Sequence, residues 1–254
     1  MSAPAGIRML ITRPQGRGEA LQAKAAALGC QCELLPLLQI LPGPDIKNAA
    51  QQLAKLCADD KVIATSQYAL FALADTVTHW PSSETIAIGN ATATHWQALG
   101  VNPTVPQHAD SEGILMLPSL QPNAIAAKQV VILKGVGGRT LLEDELAQRG
   151  AIVHSFDLYR RQPHDNTSRL ADILKQKRIN TLLATSAELV ELIDQVIPDN
   201  SAQKQALTLL VPSKRVKEIA QSLNFTNIIN TQGASDDAVI RVLSEMTNTG
   251  NANG

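Results

Sequence analysis

The stretch Val62-Ile-Ala-Thr65-Ser66 returns 120 residues later as Leu182-Leu-Ala-Thr185-Ser186, each time followed by an apolar helical stretch. Other pairs keep the same order. Met9-Leu-Ile-Thr12-Arg13-Pro-Gln-Gly16-Arg17 leads into a helical stretch closing at Gly29. Val131-Ile-Leu-Lys134-Gly135-Val-Gly-Gly138-Arg139 leads into one closing at Gly150, at spacings of 122 and 121. Ile86-Ala-Ile-Gly89 matches Leu209-Leu-Val-Pro-Ser213 at 124, and Ser111-Glu112 matches Ser235-Asp236 at 124. A period of this size is a domain length, far above that of a solenoid repeat. Four features in one order argue for an internal duplication, so the chain must fold into two units of like architecture.

Within each copy, short β-branched runs (61–65, 85–89, 129–134, 151–156, 181–185 and 206–212) alternate with amphipathic stretches of about 10–15 residues. Alternating strand and helix gives βαβ units on a parallel sheet, and right-handed crossovers place helices on both faces. The predicted fold is α/β: two doubly wound parallel-sheet lobes from an internal duplication, joined by a two-stranded linker. Proline sets the boundaries. Pro36–Pro44 is extended and flanked by residues that stop helices, and its repeat partner is Asp157–Pro163. If the chain crosses between lobes there, residues 1–37 plus 168–254 form a discontinuous lobe and 44–157 the second. Residues 38–43 and 158–167 are then linker strands, with a hinge and a ligand cleft between the lobes. The polar Asn/Gly stretch from about Thr247 reads as a disordered tail.

Composition narrows the function. The chain has 254 residues, 44% hydrophobic but only 3% aromatic, so its core is aliphatic. A formal net charge of −1 gives no global field for DNA or another polyanion. No apolar run approaches the ~18 residues of a spanning helix, and the first residues lack a signal-peptide pattern. Cys30, Cys32 and Cys57 are an odd set in a chain that needs no staples. They read as reduced thiols, and the expected compartment is the cytoplasm.

In doubly wound sheets ligands bind beyond the carboxyl ends of the strands. The residues there are Thr12-Arg13, Thr65-Ser66, Gly89-Asn90, Lys134-Gly135, Thr185-Ser186 and Ser213-Lys214. Taken singly, Ser, Thr and Asn at these positions are helix caps. Taken together, they place several helix N-termini and the cations Arg13, Lys134, Arg139, Lys214 and Arg215 around one cleft, which suits carboxylates or phosphates. Rival motifs fail. Gly135-Val-Gly137-Gly138-Arg139-Thr140 has Thr where a dinucleotide fingerprint needs Gly or Ala. There is no P-loop and no nucleophile elbow. The five histidines lack metal-ligand spacing, and no carboxylate pair suggests acid–base work. The residues alone describe a two-lobed binder of a small anion. A non-catalytic binder or sensor, or a dinucleotide-binding α/β protein, stays open as an alternative.

The ordered set resembles the uroporphyrinogen-III synthase family. It comprises ITRPQGR, ATSQYAL, AIGNATATHWQALG, ADSEGILML, ILKGVGGRTLLEDELAQRGA, DLYRRQP, ATSAELVELI, VPSKRVKEIAQSL and GASDDAVI. It covers nearly the whole chain, to about Leu243. The resemblance implies cyclisation of the linear tetrapyrrole hydroxymethylbilane, with loss of water and inversion of ring D, in haem and sirohaem biosynthesis. It implies no metal or organic cofactor. The chain is then a cytoplasmic monomer whose partner is a small molecule, with hand-over from the preceding enzyme as a further expectation, and with no nucleic-acid or membrane partner. Carried over residue by residue, Tyr159 becomes the linker tyrosine facing the cleft and the candidate catalytic residue. Arg13, Thr65, Ser66, Gly89, Asn90, Ser111, Lys134, Gly135, Arg139, Ser186, Ser213 and Lys214 become candidate substrate-binding residues. Related sequences often have Thr at the position of Ser213, so the hydroxyl survives. The absence of strong catalytic machinery fits this chemistry. Electron-rich pyrroles expel hydroxyl readily, and the enzyme must chiefly hold one folded conformer. A tyrosine, ordinarily protonated at neutral pH, could donate to the departing hydroxyl. The competing reading is that Tyr159 only packs.

Overall fold

The computed structural model describes residues 6–197 and 202–251, with the side chains of 249–251 left aside. Along the chain run β1 (Arg8–Ile11), α1 (Glu19–Ala27), β2 (Gln31–Leu34), β3 (Leu38–Pro42), α2 (Ile46–Leu53), β4 (Lys61–Ala64) and α3 (Gln67–Leu73). Next come β5 (Glu84–Ala87), α4 (Asn90–Ala98), α5 (Ser111–Leu115), α6 (Pro122–Ile125), β6 (Gln129–Gly135), α7 (Leu141–Gln148) and β7 (Ile152–Pro163). The chain closes with α8 (Leu170–Gln176), β8 (Thr181–Leu183), α9 (Ala187–Val196), α10 (Ala202–Ala206), β9 (Thr208–Val211), α11 (Lys214–Ser222), β10 (Asn227–Asn230) and α12 (Asp236–Asn251). It divides into a discontinuous unit, Met1–Gln39 with Gln162–Gly254, and a continuous unit, Ile40–Arg161.

Each unit carries one sheet, ordered β10-β9-β8-β1-β2 in the first and β3-β7-β6-β4-β5 in the second. The pairs β1–β2, β1–β8, β8–β9 and β9–β10 are parallel, as are β6–β7, β4–β6 and β4–β5. Numbered within its own copy, each sheet reads 2-1-3-4, the doubly wound order. Beyond position 4 the first sheet adds β10, where the second has only a single parallel bridge, Ile86 to Thr104; the second instead carries β3 at its other edge, beside β7. The duplication is therefore visible in topology as well as in sequence.

Period-2 alternation sends successive strand residues to opposite faces, and both faces are covered. In the first unit Leu10, Leu182, Leu209 and Val211 face α8, α9 and α11, while Met9, Ile11, Leu183 and Leu210 face α1 and α12. In the second, Val62, Ala64, Val131 and Leu133 pack with α2, α3 and α4, and Ile63, Ile86, Val130 and Ile132 with α5 and α7. Cys30 and Cys32 belong to the α1/α12 cluster, and burial pushes the Cys32 thiol up to about 11.

Two expectations change. Residues 31–42 and their repeat partners differ: Pro36 separates β2 from β3, whereas the partner position is Asp157 and β7 runs unbroken for 12 residues. The polar tail expected from about Thr247 is instead helical to Asn251. The Ser244 and Thr247 hydroxyls donate back to the Ile240 and Ser244 carbonyls, so these polar side chains find their partners within the helix itself. Residues 252–254 of that stretch lie outside the described residues.

Candidate active site

In each sheet the order reverses next to the first strand of the copy, between β1 and β8 and between β6 and β4. Crevices of doubly wound folds open there, beyond the strand carboxyl ends. A threonine hydroxyl clips each switch point. Thr12 Oγ1 donates to the Leu183 carbonyl at 2.7 Å in the first unit, and Thr65 Oγ1 donates to the Leu133 carbonyl at 3.3 Å in the second.

The serines expected there are caps. Ser66 Oγ accepts from Tyr68 N, Ser186 Oγ from Leu189 N and Ser213 Oγ from Val216 N, at 3.2–3.3 Å. Each thereby satisfies one orphan donor of its helix. Gly89, by contrast, brings no side-chain cap to α4, whose first residue is Asn90. At the start of α5 the cap is Asp110, which accepts from Gly113 N at 2.7 Å; Ser111 is the first helical residue.

The cations are largely paired within their own units. Arg13 donates to Asp236 at 2.5 Å and to the Ala234 carbonyl at 2.7 Å, tying the β1 turn to the start of α12. Lys134 lies 3.2 Å from Glu143 and 3.7 Å from Asp157. Arg139 holds both oxygens of Glu112, at 2.7 and 3.1 Å. That guanidinium holds the Glu112 carboxyl below its usual value of 4.5. Lys214 is the most open of the four, 89% exposed with Glu218 at 3.9 Å.

Tyr159 sits at a break in β7. The β6–β7 register slips by one residue: Lys134 lies opposite Asp157 but Gly135 opposite Tyr159, leaving Leu158 as the extra residue. Such a bulge re-aims a side chain. Strict alternation would send Leu158 and Tyr159 to opposite faces, yet both join the cluster with Leu133 and Leu70. The Tyr159 ring then lies against Gly135, where a β-carbon would fall 2.6 Å from its Cζ. The Tyr159 carbonyl accepts from Val136 N at 2.8 Å. Only 6% of the residue is exposed, so the tyrosine expected to line a cleft is for the most part a packed ring. Arg161 Nη2 approaches its hydroxyl at 3.5 Å.

Residue-by-residue reading missed two neighbours. The Tyr68 ring lies 5.5 Å from that of Tyr159, and Phe71 continues the chain of rings to His95 at 4.2 Å. Tyr68 could have been found, because it stands two residues past Ser66 in a chain with only two tyrosines. Arg161 stands two residues past Tyr159 on one strand, a spacing that shares a face. Among the described residues no group of three or more His, Cys, Asp or Glu side chains could hold a metal, and no helix is long and apolar enough to cross a membrane.

Comparison with known proteins decides between the readings of this geometry. The family description "Uroporphyrinogen-III synthase HemD" matches residues 19–241. The chain belongs to the uroporphyrinogen-III synthase family. It is 34% identical over 245 residues to the uroporphyrinogen-III synthase of Salmonella typhimurium, covering 92% of this chain and 99% of that protein. It is 33% identical over 246 residues to the synthase of the same name from Escherichia coli, with the same coverage. Two solved structures share the fold. A uroporphyrinogen III synthase variant from Thermus thermophilus has a TM-score of 0.61 at 16% identity, covering 98% of this chain and all of that one. The synthetase from Helicobacter pylori has a TM-score of 0.62 at 12% identity, covering 94% and 99%. The α/β fold with two mainly parallel sheets is thus that of uroporphyrinogen-III synthases.

Proposed function

We propose that this chain cyclises hydroxymethylbilane to uroporphyrinogen III, with loss of water and inversion of ring D. One observation carries the reading: the family match over residues 19–241, which spans both copies of the duplication. The turns support it. The substrate brings eight carboxylates, and helix N-termini receive such groups through backbone N–H donors. The first turn of α4 is the foremost candidate, since no side chain caps it. Ser66, Ser186 and Ser213 hold their turns in shape, while the backbone donors beside them meet substrate. Thr65 and Gly135 shape the switch point, and Ser111 stands at the start of α5. Arg13, Lys134 and Arg139 fix loops through their acids, whereas Lys214 is open to a carboxylate. Tyr159 supplies the proton donor for the departing hydroxyl, with Arg161 beside it. The reading takes the chain to act as a cytoplasmic monomer that receives its substrate from the preceding enzyme; cell fractionation, gel filtration and a coupled assay check those three extensions.

The test is incubation with hydroxymethylbilane followed by chromatography of the oxidised porphyrin isomers. The type III isomer in proportion to protein is the expected result. Formation of type I alone would overturn the reading.

A further inference from the structure

At the opposite edge of the first sheet, where β1 and β8 begin, lies a cavity of about 390 Å³. Its rim is cationic, with Arg8, Lys175 and Arg178, and its floor is apolar, with Leu174, Ile179 and Leu207 all at most 9% exposed. Among the described residues no acidic side chain lines it. We propose that this cavity binds a small amphipathic organic dianion: a head with at least two anionic oxygens on an apolar body.

Charge is the first argument. Cations on either side of the cavity are matched to acids, Lys177 with Glu33 at 3.0 Å and Lys204 with Asp194. Among the described residues, the Lys175 ammonium and the Arg178 guanidinium have no acid within ion-pair reach. Arg8 uses only its Nε, donating at 2.6 Å to the Arg178 carbonyl. Its two terminal nitrogens have no acceptor among the described residues. A fork of guanidinium donors beside an ammonium suits a phosphoryl or dicarboxylate head.

The cations are not needed to finish the helix. The last carbonyls of α8 already accept backbone N–H groups: Lys177 N donates to Ile173 O, Arg178 N to Lys175 O and Ile179 N to Leu174 O. Asn180 fixes the rim from below, its Oδ1 accepting from Arg8 N at 2.9 Å and its Nδ2 donating to Gly6 O at 3.1 Å.

Backbone conformation supplies the second argument. Arg178 has φ +50°, in the left-handed region that a side chain disfavours. The same position after α1 and α7 is Gly29 (φ +80°) and Gly150 (φ +87°), the ordinary choice there. Asn224 takes the position after α11 at φ +62°, a residue that tolerates it better than most, whereas arginine after α8 accepts conformational strain and brings a guanidinium to the cavity mouth. An outlier at a cavity is the kind of observation from which a site is argued.

Arg178→Gly provides a clean test, because glycine adopts this φ freely and the fold is kept. Phenyl phosphate and phthalate are titrated into the full chain by calorimetry at constant ionic strength, with benzoate and inorganic phosphate alongside. Saturable binding of phenyl phosphate or phthalate is expected, and whichever binds more tightly assigns a phosphoryl or a dicarboxylate head. Affinity should fall at least tenfold in Arg178→Gly and in Lys175→Gln, while thermal stability of Arg178→Gly is equal or higher. Synthase turnover should be unchanged, which separates this site from the one above. No binding, undiminished binding in Arg178→Gly, or inorganic phosphate matching phenyl phosphate would each overturn the proposal.

Discussion

A β-carbon on Gly135 would fall 2.6 Å from Cζ of Tyr159, with both Cε atoms within 3.0 Å. The tyrosine ring therefore occupies the space that any other residue at position 135 would need. Strand β6 ends on a glycine because β7 lays a ring across it, and the one-residue slip between the strands puts the ring there. Gly135→Ala should push the ring off its seat. Overpacking of this kind costs about 1–3 kcal/mol, so denaturant midpoints should fall. Synthase activity should fall with them. Unchanged stability would mean that the ring has room to move, and the seat would lose its meaning.

Tyr159→Phe removes one oxygen and leaves the ring on Gly135. Its stability should change little, by about 1 kcal/mol at most for a single hydrogen bond, since among the described residues the hydroxyl's hydrogen-bond partner is Arg161 at 3.5 Å. If the hydroxyl assists water loss, the rate should fall roughly 10²-fold, the low end for general acid catalysis, with the product still type III. An unchanged rate makes Tyr159 a packing residue. A shift to type I makes it an orienter of the substrate.

The serine caps separate stability from binding. Ser66→Ala, Ser186→Ala and Ser213→Ala should each cost about 1 kcal/mol of stability and weaken substrate only modestly. Asn90→Pro deletes a backbone donor where α4 has no side-chain cap, while proline suits the first helical position. It should raise KM more than any serine change while sparing the melting temperature. Complete loss of turnover in a folded Ser66→Ala variant would point to a catalytic hydroxyl instead.

The Glu112–Arg139 bridge spans α5 and the turn that includes Gly137 and Gly138. Because Arg139 lowers the Glu112 value, the bridge is fully present above the ordinary carboxylate value of 4.5 and is lost as pH falls through the lowered one. Amide shifts of Gly137 and Gly138 in Glu112→Gln at neutral pH should therefore match those of the unaltered chain in acid. If they match the unaltered chain at neutral pH, the bridge does not hold the turn.

Much of the architecture was legible because it rests on patterns that local chemistry enforces. Repeated βα units and switch-point hydroxyls leave their mark in short runs such as 9–12 and 61–65. The tyrosine's setting was not legible. Alternation along 157–163 predicts sides by counting, and the bulge at Leu158 adds a residue that counting cannot see. The partners of the cations were not legible for a related reason. Lys134 and Arg13 stand at strand ends as expected, but their acids come from 9 residues away, at Glu143, and from 223 away, at Asp236. No spacing rule joins Arg13 to a helix at the far end of the chain.

The unequal continuity of the two units has a consequence for biosynthesis. Ile40–Arg161 is one unbroken stretch and holds β4, β5 and β6 in full and β7 as far as Arg161. A nascent chain has the whole of it once Arg161 leaves the ribosome. At that moment β1 has β2 beside it but must wait for β8, at Thr181–Leu183, and then for β9 and β10. Bringing partners together across about 170 residues closes a long loop, which is slow. The unit that matures first thus joins the end of one ancestral copy, β4 and β5, to the start of the other, β6 and β7, and the β1–β2 pair waits for β8 through most of translation. A chain truncated after Arg161 should resist limited proteolysis over 40–161 and be trimmed before residue 40, and digestion throughout would show that the inner unit needs the outer one to fold.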